Sequence, residues 1–241
     1  MTGAFSLDNG ANGMAFNPVP DRIRIVSTAN GNKRINPNDG TLAATDTTLA
    51  YVAGDVNAGQ VPGVSTIAYT NHYLGATTTT VYAIDSGVAA LARLGSANGS
   101  PLSPNSGQLT TIASLGFPPS SSLGGMTIQP GTNTAYAAIQ VAGVSTLYMV
   151  HLNTGATTLI GAIGSGTAIG GIAIAPASPC LDIDGDGRID ALSDGLVLLR
   201  ALFGLSGAAA TNAAVPATSP RSDWPAIRNH LNANCGLHLA P

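Results

Sequence analysis

Four short segments of the chain read as copies of one apolar strand: Gly13-Met-Ala-Phe-Asn-Pro18, Thr66-Ile-Ala-Tyr-Thr-Asn71, Gly125-Met-Thr-Ile-Gln-Pro130 and Gly171-Ile-Ala-Ile-Ala-Pro176. Their first residues lie 53, 59 and 46 positions apart. Repeats of roughly 40–50 residues with four strands in each are the spacing of propeller blades. The unit that begins with the third copy is complete. Strands are expected at 126–129, 135–140, 146–152 and 157–163, with Asn153-Thr154-Gly155 turning between the last two. The first unit reads similarly, turning at Asn30-Gly31 and Asn38-Asp39-Gly40, whereas residues 95–107 of the second are mostly Gly, Ser, Asn and Pro and are expected to form a long surface loop.

The expected fold is therefore mainly β: a propeller-like arc of about three four-stranded blades and one spare strand over residues 1–176, followed by a small α-helical module over 177–241. A closed propeller typically takes four to eight blades. The reading thus has the chain beginning inside its domain, with blades and an export signal upstream, and leaves a strand edge through which copies could associate. Met1-Thr-Gly-Ala-Phe-Ser-Leu-Asp-Asn-Gly10 carries no signal-peptide pattern, and no run approaches the roughly 20 apolar residues of a membrane span. With 9% charged residues and a net charge of −3, the chain offers no basic field for nucleic acid.

The second constraint is Asp182-Ile-Asp-Gly-Asp-Gly-Arg-Ile-Asp190. Carboxylates at loop positions 1, 3 and 5, glycine at 6, a backbone carbonyl at 7 and a carboxylate at 9 match an EF-hand-type calcium loop. Asp182, Asp184 and Asp186 would aim at one centre, the Arg188 carbonyl would add a fourth ligand, Asp190 would bind through water, and Ile189 would point into the local core. Position 12 is Ser193 where a bidentate Glu is usual, so Asp194, one residue later, is expected to close the site from the start of the next helix. The rival reading is a solvated acidic turn without metal.

The helix after the loop is expected to bury Leu196, Leu198, Leu199, Leu202 and Phe203 and to stop at Gly204. A second, capped by Ser222 or Asp223 with Pro225 in its first turn, would pack through Trp224, Ile227 and Leu231. Cys180 and Cys235 bracket this module and suggest a disulfide clasp, against the alternative of two unrelated thiols. Pairing would place the protein outside the cytoplasm. Ahead of the loop, residues 170–179 read as a strand and a Pro-Ala-Ser-Pro linker rather than a helix. A loop with only a following helix resembles the dockerin repeat, although dockerins usually carry two loops and this chain shows one. That resemblance implies calcium-dependent folding and raises a cohesin-like partner as one possibility.

Phe16-Asn-Pro-Val-Pro-Asp-Arg-Ile-Arg-Ile-Val-Ser27, Lys33-Arg-Ile-Asn-Pro37, Tyr51-Val-Ala-Gly-Asp-Val-Asn-Ala58 and Ala76-Thr-Thr-Thr-Thr-Val-Tyr-Ala-Ile-Asp85 resemble a bacterial secreted family known as domain of unknown function 4394. The resemblance runs to about residue 176 and implies a propeller-like fold with no assigned reaction.

Catalytic patterns are sparse. His72, His151, His230 and His238 are scattered without metal spacing, no G-x-S-x-G elbow occurs, and every acidic residue is Asp. Asp21 and Arg22, with Arg24 and Arg34 close by, are the best polar candidates of the β region and read more readily as a structural ion pair than as a carboxylate-binding site. The expected function is a non-enzymatic secreted or cell-surface protein that binds a protein or glycan and carries a calcium-stabilised dockerin-like module. The alternatives are an extracellular hydrolase of polysaccharide or ester, and a calcium-dependent assembly module.

Overall fold

The computed structural model describes residues 5–72, 76–130, 132–174 and 180–240. Two compact units, Met1–Ile174 and Ala175–Pro241, each have their own core. The Pro-Ala-Ser-Pro linker read at 176–179 lies outside the described residues.

The first unit is mainly β, in three sheets. β1 (Asn12–Asn17), β2 (Arg22–Ser27), β3 (Asn32–Ile35) and β4 (Leu42–Thr45) form an antiparallel meander in that order. The second sheet runs in the order β5-β9-β8-β7-β6, from β5 (Ala50–Tyr51), β6 (Val64–Tyr69), β7 (Val81–Asp85), β8 (Ala90–Leu94) and β9 (Gln108–Ser114). The third is the meander β10 (Gly124–Ile128), β11 (Thr134–Val141), β12 (Val144–His151) and β13 (Thr157–Ala162). β5 was not foreseen: two residues beyond the first sheet pair in parallel with β9, Ala50 opposite Gln108.

Apolar layers fill the space between successive sheets. Val26 of the first sheet packs in one layer with Ile67, Tyr69, Val81, Leu94 and Leu109 of the second. Ala68, Tyr82 and Leu91, on the opposite face of the second sheet, share another layer with Met126, Ile128 and Val150 of the third. β6 therefore buries all six of its residues, as expected of a strand covered on both faces. The repeated segments are β1, β6, β10 and residues 170–174, and all four line one narrow cleft. Their approach depends on missing side chains. A Cβ on Gly13 would strike Ser65 O, and one on Gly125 would lie 2.6 Å from Gly171 Cα.

The polar link between the first two sheets is Arg24, which is 1% exposed. Its Nε donates to Tyr69 Oη at 2.7 Å, Nη1 to Asn32 Oδ1 and to Asp46 Oδ2 at 3.1 Å, and Nη2 to Asn105 Oδ1 at 2.6 Å. Arg34 grips Asp46 with two bonds of 2.8 Å. The structural ion pair foreseen for this region thus forms on Asp46 rather than Asp21, because β4 brings Asp46 back beside β3 while Arg22 turns to the carbonyls of Pro20 and Asp21. Residues 95–107 are more than a surface loop. They hold two short 3-10 turns, and Asn105 reaches inward to Arg24.

The second unit contains α1 (Leu196–Leu202), α2 (Ala208–Thr211) and α3 (Trp224–Cys235) around Ile183, Val197, Ala201, Ala214, Ile227 and Leu231. Asp223 caps α3 by accepting from Ala226 N–H at 2.8 Å, Pro225 lies in its first turn, and Trp224 packs on the core half-buried. The face expected of α1 is corrected: Val197 and Ala201 are buried, whereas Leu199, Leu202 and Phe203 are exposed. A single wide π-type turn at Ala191–Gly195 leads into the helix, with Gly195 N–H donating to Asp190 O at 3.1 Å. Gly204 follows the helix with φ 80°, as expected. No helix among the described residues is long and apolar enough to cross a membrane.

Two outcomes follow for urea denaturation. Gly13→Ala should cost about 1–3 kcal/mol through overpacking against β6, while Gly161→Ala, whose Cβ would meet nothing within 4 Å, should cost almost nothing. Arg24→Met should cost about 3–5 kcal/mol, because Asp46, Asn32 and Asn105 lose their buried partner.

Candidate metal centre

Asp182, Asp184 and Asp194 are 3%, 1% and 1% exposed, and one carboxylate oxygen of each lies within 4.8 Å of the others. The local sequence explains the convergence. Gly185 and Gly187 adopt φ of 83° and 87°, left-handed turns that glycine takes without strain, and these curl alternate residues of the loop inward. Asp182 is fixed by accepting from Gly185 N–H at 2.8 Å and Gly187 N–H at 3.3 Å, and Asp184 by accepting from Asp186 N–H at 3.1 Å.

Asp194 closes the cluster from the wide turn before α1. Its Oδ1 accepts from Ile183 N–H at 2.6 Å and Asp184 N–H at 3.1 Å, while Oδ2 accepts from Asp190 N–H at 2.8 Å. One carboxylate thus joins both ends of the loop. Ser193, at the position where a loop of this kind usually has Glu, donates its hydroxyl to Asp194 Oδ2 at 3.3 Å.

Asp186, Arg188 and Asp190 lie on the exposed side of the loop. Asp186 accepts from Arg188 N–H at 2.8 Å, and Asp184, Asp186 and Asp190 line one open depression with Ser193. Ile189 does not enter the core and is 58% exposed; Ile183, fully buried, takes that role from the opposite side of the loop.

Two contributors were missed in the sequence. Ser219 Oγ donates to Asp184 Oδ2 at 3.0 Å, and Arg221 places Nε 2.9 Å from Ile183 O, Nη2 on Asp182 O, and Nη2 3.9 Å from Asp182 Oδ1. Both come from the segment before α3, which lacks any loop motif of its own. Only the charge of Arg221 in a charge-poor chain could have drawn attention to it.

The three carboxylates fit a cation. Three formal negative charges are buried together with one guanidinium at their edge. Like charges so close repel one another, and a positive ion held among them offsets that repulsion. Oxygen donors alone suit the hard ions Ca²⁺, Mg²⁺ and Mn²⁺ rather than a thiolate- or imidazole-seeking metal.

Cys180 and Cys235 form a disulfide with Cα atoms 5.0 Å apart, clasping the start of the loop to the end of α3. His230, on α3, has Nε2 3.1 Å from Cys180 O. A disulfide is compatible with an extracellular location.

In the β unit Asp8, Asp39, Asp46, Asp55 and Asp85 serve the fold. Asp8 pairs with Lys33 at 2.6 Å, Asp46 with Arg24 and Arg34, and Asp39 caps its turn through Thr41. Asp85, fully buried, accepts from Tyr51 Oη at 2.7 Å and from Gly63 and Gly87 N–H. Burial and then the bond to Asp85 push the Tyr51 phenol far above its ordinary range. Burial acts to raise Asp55, but bonds from Asn57 N–H and from the Thr111 hydroxyl and N–H outweigh it and hold the group below the usual carboxylate value. His151 is exposed, its Nδ1 3.1 Å from Thr154 Oγ1.

Residues 2–173 match the family described as Domain of unknown function (DUF4394). The chain belongs to this family. Its description assigns the DUF4394 region no reaction. No curated protein matches the chain. Among solved structures, one described as "Structure of Dos1 propeller" is 10% identical with a TM-score of 0.39, covering 67% of this chain and 39% of that one. Another, "Crystal structure of puromycin hydrolase", is 16% identical with a TM-score of 0.32, covering 64% of this chain and 21% of that one. This chain thus spans less than half the length of either.

Replacing both cysteines by serine should lower the stability of the helical unit by about 2–4 kcal/mol. Hydrogen exchange would show faster opening of the amides of α3 and of residues 182–187, and unchanged protection there would refute a clasping role.

Proposed function

We propose that the chain is a secreted or cell-surface bacterial protein, non-enzymatic, that binds or scaffolds another molecule through its β unit and carries a dockerin-like C-terminal module folded around calcium. One observation carries the reading: Asp182, Asp184 and Asp194 are buried together with a net formal charge of two negatives after Arg221 is counted, which a divalent ion balances. An acidic loop that adapts its oxygens around the ion suits Ca²⁺, which accepts six to eight ligands, better than Mg²⁺, which demands a near-ideal octahedron.

Asp182, Asp184 and Asp194 would hold the ion, with Asp186, the Arg188 carbonyl and Asp190 available from the exposed side. Bound calcium would supply charge neutralisation and a cross-link between the loop and α1, and its binding energy would add to the folding of the module. Support for a binding or structural role comes from the β unit, where Asp46, Asp55 and Asp85 spend their carboxylates on sheet and loop bonds. Exposed Leu199, Leu202 and Phe203, neighbours at helical spacing on α1, give the module an apolar surface for a protein partner.

Thermal melting with calcium and with chelator tests the reading. At about 100 times the dissociation constant, calcium should stabilise the protein by about 2.7 kcal/mol. Asp184→Asn and Asp194→Asn should remove that increment, while Asp223→Ser, which changes only the cap of α3, should keep it. A wild-type protein that melts identically in calcium and in chelator would overturn the proposal.

A further inference from the structure

The backbone of the aspartate loop is polarised: its N–H groups turn toward carboxylates and its carbonyls toward one guanidinium. Ile183 and Asp184 N–H donate to Asp194, and Gly185 and Gly187 N–H to Asp182. Arg221 takes the carbonyls. Its Nη2 donates to Asp182 O, its Nε to Ile183 O at 2.9 Å, and its backbone N–H to Asp184 O at 2.7 Å. Three consecutive carbonyls of the loop are thus held by one residue of a distant segment. Ser219, two residues earlier, adds its hydroxyl bond to Asp184 Oδ2. The guanidinium comes this near because residue 185 is glycine: a Cβ there would lie 3.0 Å from Arg221 Cζ and Nη1, inside the optimum of about 3.5–4.0 Å for carbon atoms.

The same side chain is a charge as well as a fork of donors. Arg221 Nη2 lies 3.9 Å from Asp182 Oδ1, and the Arg221 side chain is only 20% exposed. A guanidinium keeps its proton in proteins, so this charge is permanent. The other charged residues of the loop, Asp186, Arg188 and Asp190, are exposed, where solvent and salt screen them. Among the described residues, the inner charge balance of the centre is Asp182, Asp184 and Asp194 against Arg221.

We propose that Arg221 is the residue that fits this centre to a divalent ion, acting both as a positioning residue and as a fixed counter-charge. The inference rests on the calcium reading of the three aspartates and adds the residue outside the loop that sets the site's selectivity. As a positioning residue, Arg221 holds the carbonyls of Asp182 and Ile183 away from the carboxylates, so that the loop keeps its N–H groups turned toward Asp182 and Asp194. Losing that grip loosens the loop for every ion alike. As a charge, it repels an ion in proportion to the ion's own charge, so it penalises a trivalent ion more than a divalent one. The ratio of two affinities therefore reports the charge, and their common shift reports the positioning.

Calorimetric titration of the full, oxidised, chelator-stripped chain with Ca²⁺ alone and with Tb³⁺ alone tests it. Arg221→Gln, neutral but with an amide donor left for a loop carbonyl, should move the preference toward Tb³⁺ by about tenfold relative to the wild type, the order expected for one unit charge beside a partly solvated site. Arg221→Met, a second neutral variant, should do the same. Arg221→Lys keeps the charge and loses the planar fork. Both of its affinities should weaken together, about threefold or more, with their ratio within about twofold of the wild type. Thermal melting shows which variants are folded, and if neither neutral variant folds, Arg221→Lys alone decides through its two affinities. A wild type that binds neither ion would overturn the calcium reading and this inference with it. A wild type that binds calcium, with neutral variants that keep its ratio or an Arg221→Lys that keeps both affinities, would overturn the role of Arg221 alone.

Discussion

Removing a charge from water costs several kcal/mol unless its bonds are remade inside, and this chain, with only 9% charged residues, places its few buried charges where each unit is joined. Arg24 spends its donors on Tyr69, Asn32, Asp46 and Asn105, drawn from both of the first two sheets. That fixes the register of one sheet against the next in a layer otherwise made of apolar contacts that could slide. In the helical unit the same cost falls on Asp182, Asp184 and Asp194. Backbone N–H groups orient those carboxylates, but orientation does not remove the repulsion among them. The first cluster is satisfied by its own partners; the second has the oxygen donors that could hold a cation.

Much of this was legible because it is periodic. The recurring segment from Gly13 to Ile174 marked the innermost strand of each sheet, and the D-x-D-x-D-G spacing marked the loop, since both patterns follow from how alternate residues point. What escaped the reading depends on the meeting of distant segments. The parallel pairing of Ala50 with Gln108 leaves no local signal. Asp46 and Asn105 find Arg24 only once two sheets are stacked, and Arg221 reaches the loop from 37 residues beyond Asp184. The phase of α1 was misread because the run from Leu196 to Phe203 is apolar on every side but Arg200, so the pattern alone does not select a face: the packed core takes Val197 and Ala201, four residues apart, and leaves Leu199, Leu202 and Phe203 outside.

The division of labour between the units is a division between rigidity and conditional order. The β unit is held by interlocked apolar layers and by backbones that approach closely at Gly13 and Gly125, features that do not depend on solution conditions beyond those of ordinary folding. The helical unit has a small core of Ile183, Val197, Ala201, Ala214, Ile227 and Leu231, too few side chains to hold a domain without a staple. A disulfide provides one staple. The carboxylate cluster provides the position for a second.

The most direct measurement is equilibrium dialysis of the oxidised, chelator-stripped protein against radioactive calcium, which counts ions rather than inferring them from stability. The account predicts saturation near one calcium per chain and no saturable binding in Asp182→Asn/Asp184→Asn. A protein that retains no calcium at millimolar concentration, or retains it equally after those substitutions, would contradict the claim that the buried aspartates are built around a cation.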